Sequence, residues 1–124
     1  MKLRSFLTAN AVVVLIYGVV TVLLPELLGN LYGMDNSPSS TMLSRLWGAA
    51  LLFEGVVVWM SRDLTGASAR PILTGGLLAT VVGFVVTLLA TLDGTMNSMG
   101  WSGVVIYLVF GVGFAYYLFR GAPK

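Results

Sequence analysis

The stretch SRLWGAALLFEGVVVWMSR, residues 44–62, decides the fold of this chain. It is apolar enough to cross a bilayer, yet it carries Glu54 in its interior and Arg45 near its start. Ionisable side chains are costly in hydrocarbon, so they usually face the interior of a helix bundle or a water-filled cavity. The stretch therefore predicts a membrane helix whose Glu54 face is directed at other helices.

The composition extends this reading to the whole chain. Of the 124 residues, 57% are hydrophobic and only 10% are charged, whereas soluble domains carry roughly 25% charged residues. A spanning helix needs about 20 apolar residues, and four such segments account for most of the sequence. We predict one all-α membrane domain, residues 1–124, with four transmembrane helices in an antiparallel bundle, at about 4–24, 41–60, 71–92 and 101–119.

The connection between the first two spans is the longest one. Its first part, PELLGNLYGM, is apolar and starts at Pro25, which predicts a short interfacial helix at the membrane surface. The second helix is predicted to be capped by Ser39, Ser40 or Thr41. The apolar run before Pro25 is longer than the core of a signal peptide, and no A-x-A-like site follows it, so we expect it to be the first span.

The basic residues predict the orientation. Short cytoplasmic loops carry an excess of Lys and Arg, and with four spans both termini lie on one side. That side holds six of the seven basic residues: Lys2, Arg4, Arg62, Arg70, Arg120 and Lys124. The prediction is that both termini are cytoplasmic.

Several polar residues fall at matching depths in the four spans. Asn10, Tyr17 and Thr21 share one helical face, which is either a buried polar stripe or the lining of a cavity. Counting 1.5 Å per residue from the cytoplasmic ends predicts three layers. The inner layer holds Glu54, Asn10 and Thr80, the middle layer holds Tyr17 and Tyr107, and the outer layer holds Arg45, Thr21 and Thr87.

Arg45 and Glu54 are half a turn out of phase on their helix. If Glu54 points into the bundle, Arg45 points to its edge, where it can reach lipid phosphate or the outer loop. Hydrocarbon favours the neutral form of Glu54, and Asn10 and Thr80 are its candidate hydrogen-bond donors. Glu54 is thus either a structural, hydrogen-bonded carboxyl that sets the helix register or a functional group that couples to protons or cations.

Small residues predict the helix contacts. In the third span Gly75, Ala79 and Gly83 form a ridge with a spacing of four residues, which lets another helix approach closely. In the fourth span Gly100, Gly103, Tyr107 and Gly111 share the face expected to pack on a partner helix.

Two short patterns resemble a known family. Leu24-Pro25 with Leu31-Tyr32-Gly33, followed by Arg45-Leu46-Trp47-Gly48-Ala49 at the start of the second span, is similar to small bacterial DoxX-like four-helix membrane proteins. The resemblance implies a four-helix bundle in a bacterial cytoplasmic membrane, with Arg45 as the position that matches. Glu54 is not part of this pattern. Small multidrug-resistance exporters also have four helices and a membrane carboxylate, but theirs lies in the first helix, where this chain has Asn10 and no acid.

The candidate functions follow from what the sequence contains. It has no Cys and no His, which excludes disulfides, thiolate chemistry and Cys/His metal or haem sites. It shows no nucleophile–base pair, paired carboxylates, metal cluster or cofactor motif, which argues against an enzyme without excluding one. The first hypothesis is a non-catalytic accessory subunit or binder of a lipid or lipophilic ligand. The alternative is a small transporter or channel coupled to protons or cations through Glu54.

The expected partners are membrane lipids, with a homo-oligomer or a larger membrane complex as further candidates. The scattered basic residues form no patch, so no nucleic-acid partner is expected. The binding or coupling candidates are the following residues: Glu54, Asn10, Thr80, Tyr17 and Tyr107, with Arg45 as an outer candidate.

Overall fold

The computed structural model describes residues 1–120, and this part of the chain is helical without strands. The helices are α1 Leu3–Leu23, α2 Pro25–Tyr32, α3 Pro38–Met60, α4 Arg70–Leu92 and α5 Gly100–Phe119, with a 3-10 turn at Gly66–Ala69. All but α2 are long and apolar enough to cross a membrane. The chain is therefore an integral membrane protein, and the predicted four-helix bundle is confirmed.

Helix α3 begins earlier than its sequence predicts. Pro38 takes a position in its first turn, and the Oγ of Ser37 accepts a hydrogen bond from the backbone N–H of Ser40 at 3.2 Å. Proline suits the first turn because its missing N–H has no helical partner there. The cap is therefore Ser37, and the predicted caps Ser39, Ser40 and Thr41 lie inside the helix.

Helices α1 and α3 form a tightly packed antiparallel pair. Three glycine contacts share one register: Gly18 against Leu52, Gly48 against Val22 and Gly55 against Leu15. A Cβ at Gly48 would lie 3.1 Å from the carbonyl oxygen of Gly18, so the two backbones approach as closely as glycine allows.

Helices α4 and α5 form the second pair. Its contacts follow one antiparallel register: Gly76 against Phe114, Thr80 against Gly111, Gly83 against Tyr107, and Thr87 against Gly103. The predicted packing face of α5 is thus confirmed. The ridge predicted on α4 is wrong at Gly75, which faces open space, and at Ala79, which is exposed, although Gly83 does pack on α5.

The two pairs meet at the end of the bundle where the chain starts. The rings of Phe6 and Phe114 meet edge to face with centroids 5.0 Å apart, and Phe6 fills the space beside Gly113. The hydroxyl of Tyr117 donates to the carbonyl of Met1. The buried core lies here and consists of Leu3, Phe6, Leu7, Ala11, Val58, Ala69, Leu73, Phe114 and Tyr117.

The same end carries the basic residues on which the orientation prediction depends. Arg4 and Asp63 form an ion pair at 2.6 Å between their exposed side chains. The other basic residues near this end are Lys2, Arg62, Arg70 and Arg120. Lys124, which that prediction also counts, lies outside the described residues.

The opposite end is built by α2 and the connection between α4 and α5. Gly33 ends α2 with φ of +69°, a left-handed conformation that favours glycine. The backbone N–H of Asn97 donates to the Tyr32 carbonyl at 2.8 Å, and its Nδ2 donates to the Leu31 carbonyl at 3.1 Å. These hydrogen bonds connect the α4–α5 pair to α2, which covers this end of the bundle.

Candidate functional site

A cavity of about 520 Å³ lies between the two helix pairs. Phe110, Asn10 and Thr80 line it on the side of the aromatic core, and Tyr32 and Met96 line it on the side of α2. Its volume falls within the roughly 300–1,000 Å³ of typical small-molecule sites. The helices thus enclose enough space for a ligand at the end of the bundle opposite the core.

The cavity collects all five residues predicted as binding or coupling candidates. They are Glu54, Asn10, Thr80, Tyr17 and Tyr107, and each of them lines it. The face shared by Asn10, Tyr17 and Thr21 is therefore the lining of a cavity, one of the two readings of that pattern. The functional role of these residues stays a prediction.

Asn10 holds a buried polar atom without a partner at the bottom of this cavity. Its side chain is 2% exposed, and its Oδ1 has no hydrogen-bond partner within residues 1–120. Most buried polar atoms in proteins have a partner, so an exception calls for an explanation. Because Phe6 lies one turn below on α1, Asn10 marks the point where the aromatic core gives way to the cavity.

The buried threonines contribute acceptors to the lining. The hydroxyl of Thr80 donates to the Gly76 carbonyl at 2.8 Å, and that of Thr21 donates to the Tyr17 carbonyl. Both protons are thereby used inside their own helices. The oxygen lone pairs of these threonines therefore remain as acceptors in the lining.

Glu54 lies nearer to Tyr17 than the predicted layers suggest. Because Gly55 packs beside Leu15 and the two helices are antiparallel, the preceding residue, Glu54, lies level with Ile16 and Tyr17 on α1. Asn10 lies six or seven residues before them on α1, about 9 Å or more along the helix axis towards the start of the chain. The predicted inner layer is therefore split, with Asn10 and Thr80 at the bottom of the cavity and Glu54 higher up.

Two tyrosines stand beside Glu54 in the lining. The Tyr17 hydroxyl lies 3.2 Å from the Tyr32 hydroxyl, which links α1 to α2. The Tyr107 ring lies over Gly83, where a Cβ would overlap it. The missing side chain of Gly83 therefore fixes the position of Tyr107 in the wall.

The charged groups of the lining are all acidic. Glu54 and Asp35 line the cavity, and neither Lys nor Arg does so within the described part of the chain. Asp35 lies outside the spans at the polar mouth, where the backbone N–H of Ser37 donates to its carboxylate at 3.0 Å. This hydrogen bond holds the pKa of the Asp35 carboxyl below its usual range. The mouth is therefore anionic at neutral pH.

The cavity also reaches the side of the bundle. Trp47 on α3 and Val82 and Val86 on α4 line it and are themselves exposed. In a bilayer this opening faces lipid. The cavity thus has a polar mouth near Asp35 and a lateral opening between the two pairs.

Arg45 does not take part in this site. Its Nε donates to the Val22 carbonyl at 3.3 Å, and it lines a separate open groove with Glu26. The expectation that Arg45 and Glu54 point to different sides agrees with this placement. Of the three residues that the predicted outer layer groups by depth, Thr21 and Thr87 line the cavity and Arg45 does not.

The sequence did not predict the cavity-lining residues that lie outside the polar faces of the spanning helices. Tyr32, Asp35 and Phe110 were not among the candidates, although all three line the cavity. Tyr32 and Asp35 lie in the connection between the first two spans, and nothing in the sequence around Phe110 distinguishes it from other apolar residues of the fourth span. Trp47 also lines the cavity. The sequence offers a signal for it, since Trp47 lies seven residues before Glu54 and so shares its helical face.

No group of three Asp, Glu, His or Cys side chains in residues 1–120 is arranged to hold a metal ion. Comparisons with protein-family models, curated proteins and solved structures give no match for this chain.

Proposed function

We propose that this protein is a non-catalytic membrane protein that binds a lipophilic ligand in the cavity between its two helix pairs. The observation that carries the proposal is the makeup of the lining. Mostly apolar walls enclose a few polar groups that converge from four different helices: Asn10, Tyr17, Glu54, Thr80 and Tyr107. Small-molecule sites have this makeup, with apolar walls for affinity and few polar groups for orientation.

The lateral opening supports a ligand that comes from the bilayer. Trp47 and Val86 border the opening, and both are apolar and exposed. A lipophilic molecule dissolved in the membrane can enter there without crossing a polar barrier. The role of an accessory subunit is compatible with this site, since a bound lipid or lipophilic cofactor can be shared with a partner chain.

The alternative is a transporter or channel coupled through Glu54. The position of Glu54 in an open cavity favours this hypothesis over a purely structural carboxyl. The contact of Phe6 with Phe114 argues against a channel, because it closes the cavity towards the end of the bundle where the chain starts. Passage would require the two pairs to separate at their best-packed point, so binding is the simpler function.

The proposal includes the membrane placement. Both termini lie on the cytoplasmic side, because the basic residues gather at the end of the bundle that holds the chain start. Membrane lipids cover the exposed apolar outer faces of the helices. The resemblance of two short sequence patterns to bacterial DoxX-like proteins supports a bacterial cytoplasmic membrane. A homo-oligomer or a larger complex is compatible with these faces.

The test is photolabelling of the protein in lipid nanodiscs with decanol that carries a mid-chain diazirine. Binding in the cavity predicts labelling that saturates and that excess unlabelled decanol displaces, whereas labelling from bulk lipid is not saturable. Val14 lines the cavity, so Val14→Trp should abolish the saturable part. Val12, two residues away, is exposed on the outer surface, so Val12→Trp should leave it intact.

Unchanged saturable labelling in Val14→Trp would contradict the proposal, as would the absence of saturable labelling in the unmodified protein. Thermal melting of both variants in detergent checks that each is folded.

A further inference from the structure

The strongest unexplained feature of the molecule is the pairing of an acidic cavity with an unused acceptor at its bottom. Glu54 lies in the wall and Asp35 at the mouth, with neither Lys nor Arg in the described lining. Asn10 Oδ1 is buried and has no hydrogen-bond partner within residues 1–120. A ligand that satisfies these groups must bring positive charge and hydrogen-bond donors.

The basic side chains at the two ends of α3 do not neutralise Glu54. Arg45 shares α3 with Glu54 but lies on another side, where its Nε donates to the Val22 carbonyl. Arg62 lies past the other end of α3, with its guanidinium 4.0 Å from the centre of the Trp59 ring. The Glu54 carboxyl in the wall therefore has no basic partner within residues 1–120. A cation from outside the chain can bind there and would favour its ionised form.

The surroundings of Glu54 suit an organic cation. Tyr17 is level with it, and Tyr107 and Trp47 line the same cavity. Ammonium groups are attracted to the faces of aromatic rings, and the attraction increases when water is excluded. A carboxylate flanked by aromatic rings favours an alkylammonium ion over a small, strongly hydrated metal cation.

The register of α1 and α3 sets the distance between Glu54 and Asn10. Glu54 and Asn10 are separated by about 9 Å or more along the bundle axis. Side chains lean towards the N-terminus of their own helix, and α1 and α3 run in opposite directions. The two side chains therefore lean away from each other, which explains why Glu54 does not satisfy Asn10 and why one small group cannot reach both.

We propose that the ligand is a lipophilic amine whose ammonium group binds at Glu54 and whose far end offers a hydrogen-bond donor to Asn10 Oδ1. This inference rests on the proposed function, because it assigns a chemical class to the ligand of the same cavity. An amino alcohol with its two polar groups at opposite ends of an alkyl chain fits the spacing.

The experiment uses two photoactivatable probes on the full chain in nanodiscs. One is aminodecanol with the amine and hydroxyl at opposite ends, and the other is decanediol, each with a mid-chain diazirine. The two differ only in the charged group. In the unmodified protein the amine probe should reach half-saturation at a concentration lower by about tenfold or more, the size expected of a hydrogen bond to a charged group.

Three variants assign that difference to residues. Glu54→Gln should raise the half-saturation of the amine probe to that of the diol, while diol labelling stays unchanged and shows that the cavity is intact. Asn10→Leu should weaken both probes by a similar factor, because both carry the hydroxyl. Glu26→Gln is the matched control, since it removes an exposed acid near the same end of the bundle but outside the cavity.

Each outcome bears on one of the two proposals. Equal half-saturation of the two probes, or an amine preference that survives in Glu54→Gln, would overturn the inference and leave the proposed function standing. If neither probe labels saturably, the proposed function itself fails. An effect of Glu26→Gln as large as that of Glu54→Gln would assign the preference to general surface charge and would also overturn the inference.

Discussion

At the end of the bundle that holds the chain start, α1 and α5 are locked together by Phe6 against Gly113 and Phe114. At the other end the same helices part, and Asn10, Tyr17 and Tyr107 face a cavity instead of one another. Within each helix pair the large-against-small pattern continues, as in Tyr107 over Gly83. Between the pairs it stops after the aromatic core.

The difference shows how a four-helix chain of this size can combine stability with a binding space. Helices in lipid associate by close packing and not by escape from water, so one well-packed layer can hold the pairs together. The remaining length is then free to carry polar groups. Substitutions near Phe6 should therefore mainly lower the free energy of unfolding, whereas substitutions near Glu54 should mainly weaken ligand binding.

The largest expected effect is the loss of the aromatic contact. Phe114 is 0% exposed, and Phe114→Ala should lower the free energy of unfolding by about 3 kcal/mol, as core Phe-to-Ala substitutions do. Trp47→Ala, in the lining of the cavity, should cost less than about 1 kcal/mol because that ring is already half exposed. Unfolding by denaturant in detergent micelles measures both values, and equal losses would break the contrast between the halves.

The next effect distinguishes two neighbouring glycines on α4. A Cβ at Gly76 would overlap the Phe114 ring, so Gly76→Ala should destabilise the protein by about 1–3 kcal/mol. Gly75 faces open space, so Gly75→Ala should be neutral or slightly stabilising. The same denaturant titration provides the comparison. A larger loss for Gly75→Ala would mean that the ridge predicted from sequence is the true contact.

The smallest effect should have the opposite sign. Because Asn10 Oδ1 is buried without a partner, Asn10→Leu removes an unsatisfied polar atom and should stabilise the fold by up to about 1 kcal/mol. Stabilisation together with weaker probe binding would identify Asn10 as a residue of the site. A loss of more than about 1 kcal/mol would instead show that Asn10 supports the fold, and would sharpen the boundary of the core.

The sequence predicted the helices well because hydropathy, proline and charge are local signals. The polar face of α1 and the inward direction of Glu54 also follow from helical periodicity within one segment. Periodicity does not show whether Gly75 or Gly76 packs against another helix, because the two glycines are adjacent. Only the position of the partner helix decides which of them is in contact. The prediction that Glu54 and Asn10 lie at the same depth failed for a similar reason.

Counting residues from the segment ends assumes that all helices end in one plane. In the structure α3 ends level with Asn10, so α1 extends past it by about two turns. Such offsets are set by contacts between helices, in this case Gly48 against Val22 and Gly55 against Leu15. No pattern within a single segment contains that information.

The most direct test of the cavity uses three single cysteines on one turn of α1. The sequence contains no Cys, so Ala11→Cys, Val12→Cys and Val14→Cys each carry a single thiol. Ala11 is buried in the core, Val12 faces lipid, and Val14 lines the cavity. The measurement is the rate of modification by a water-soluble methanethiosulfonate reagent in nanodiscs. The account predicts rapid reaction at Val14→Cys only, and a Val14→Cys thiol as unreactive as the other two would contradict it.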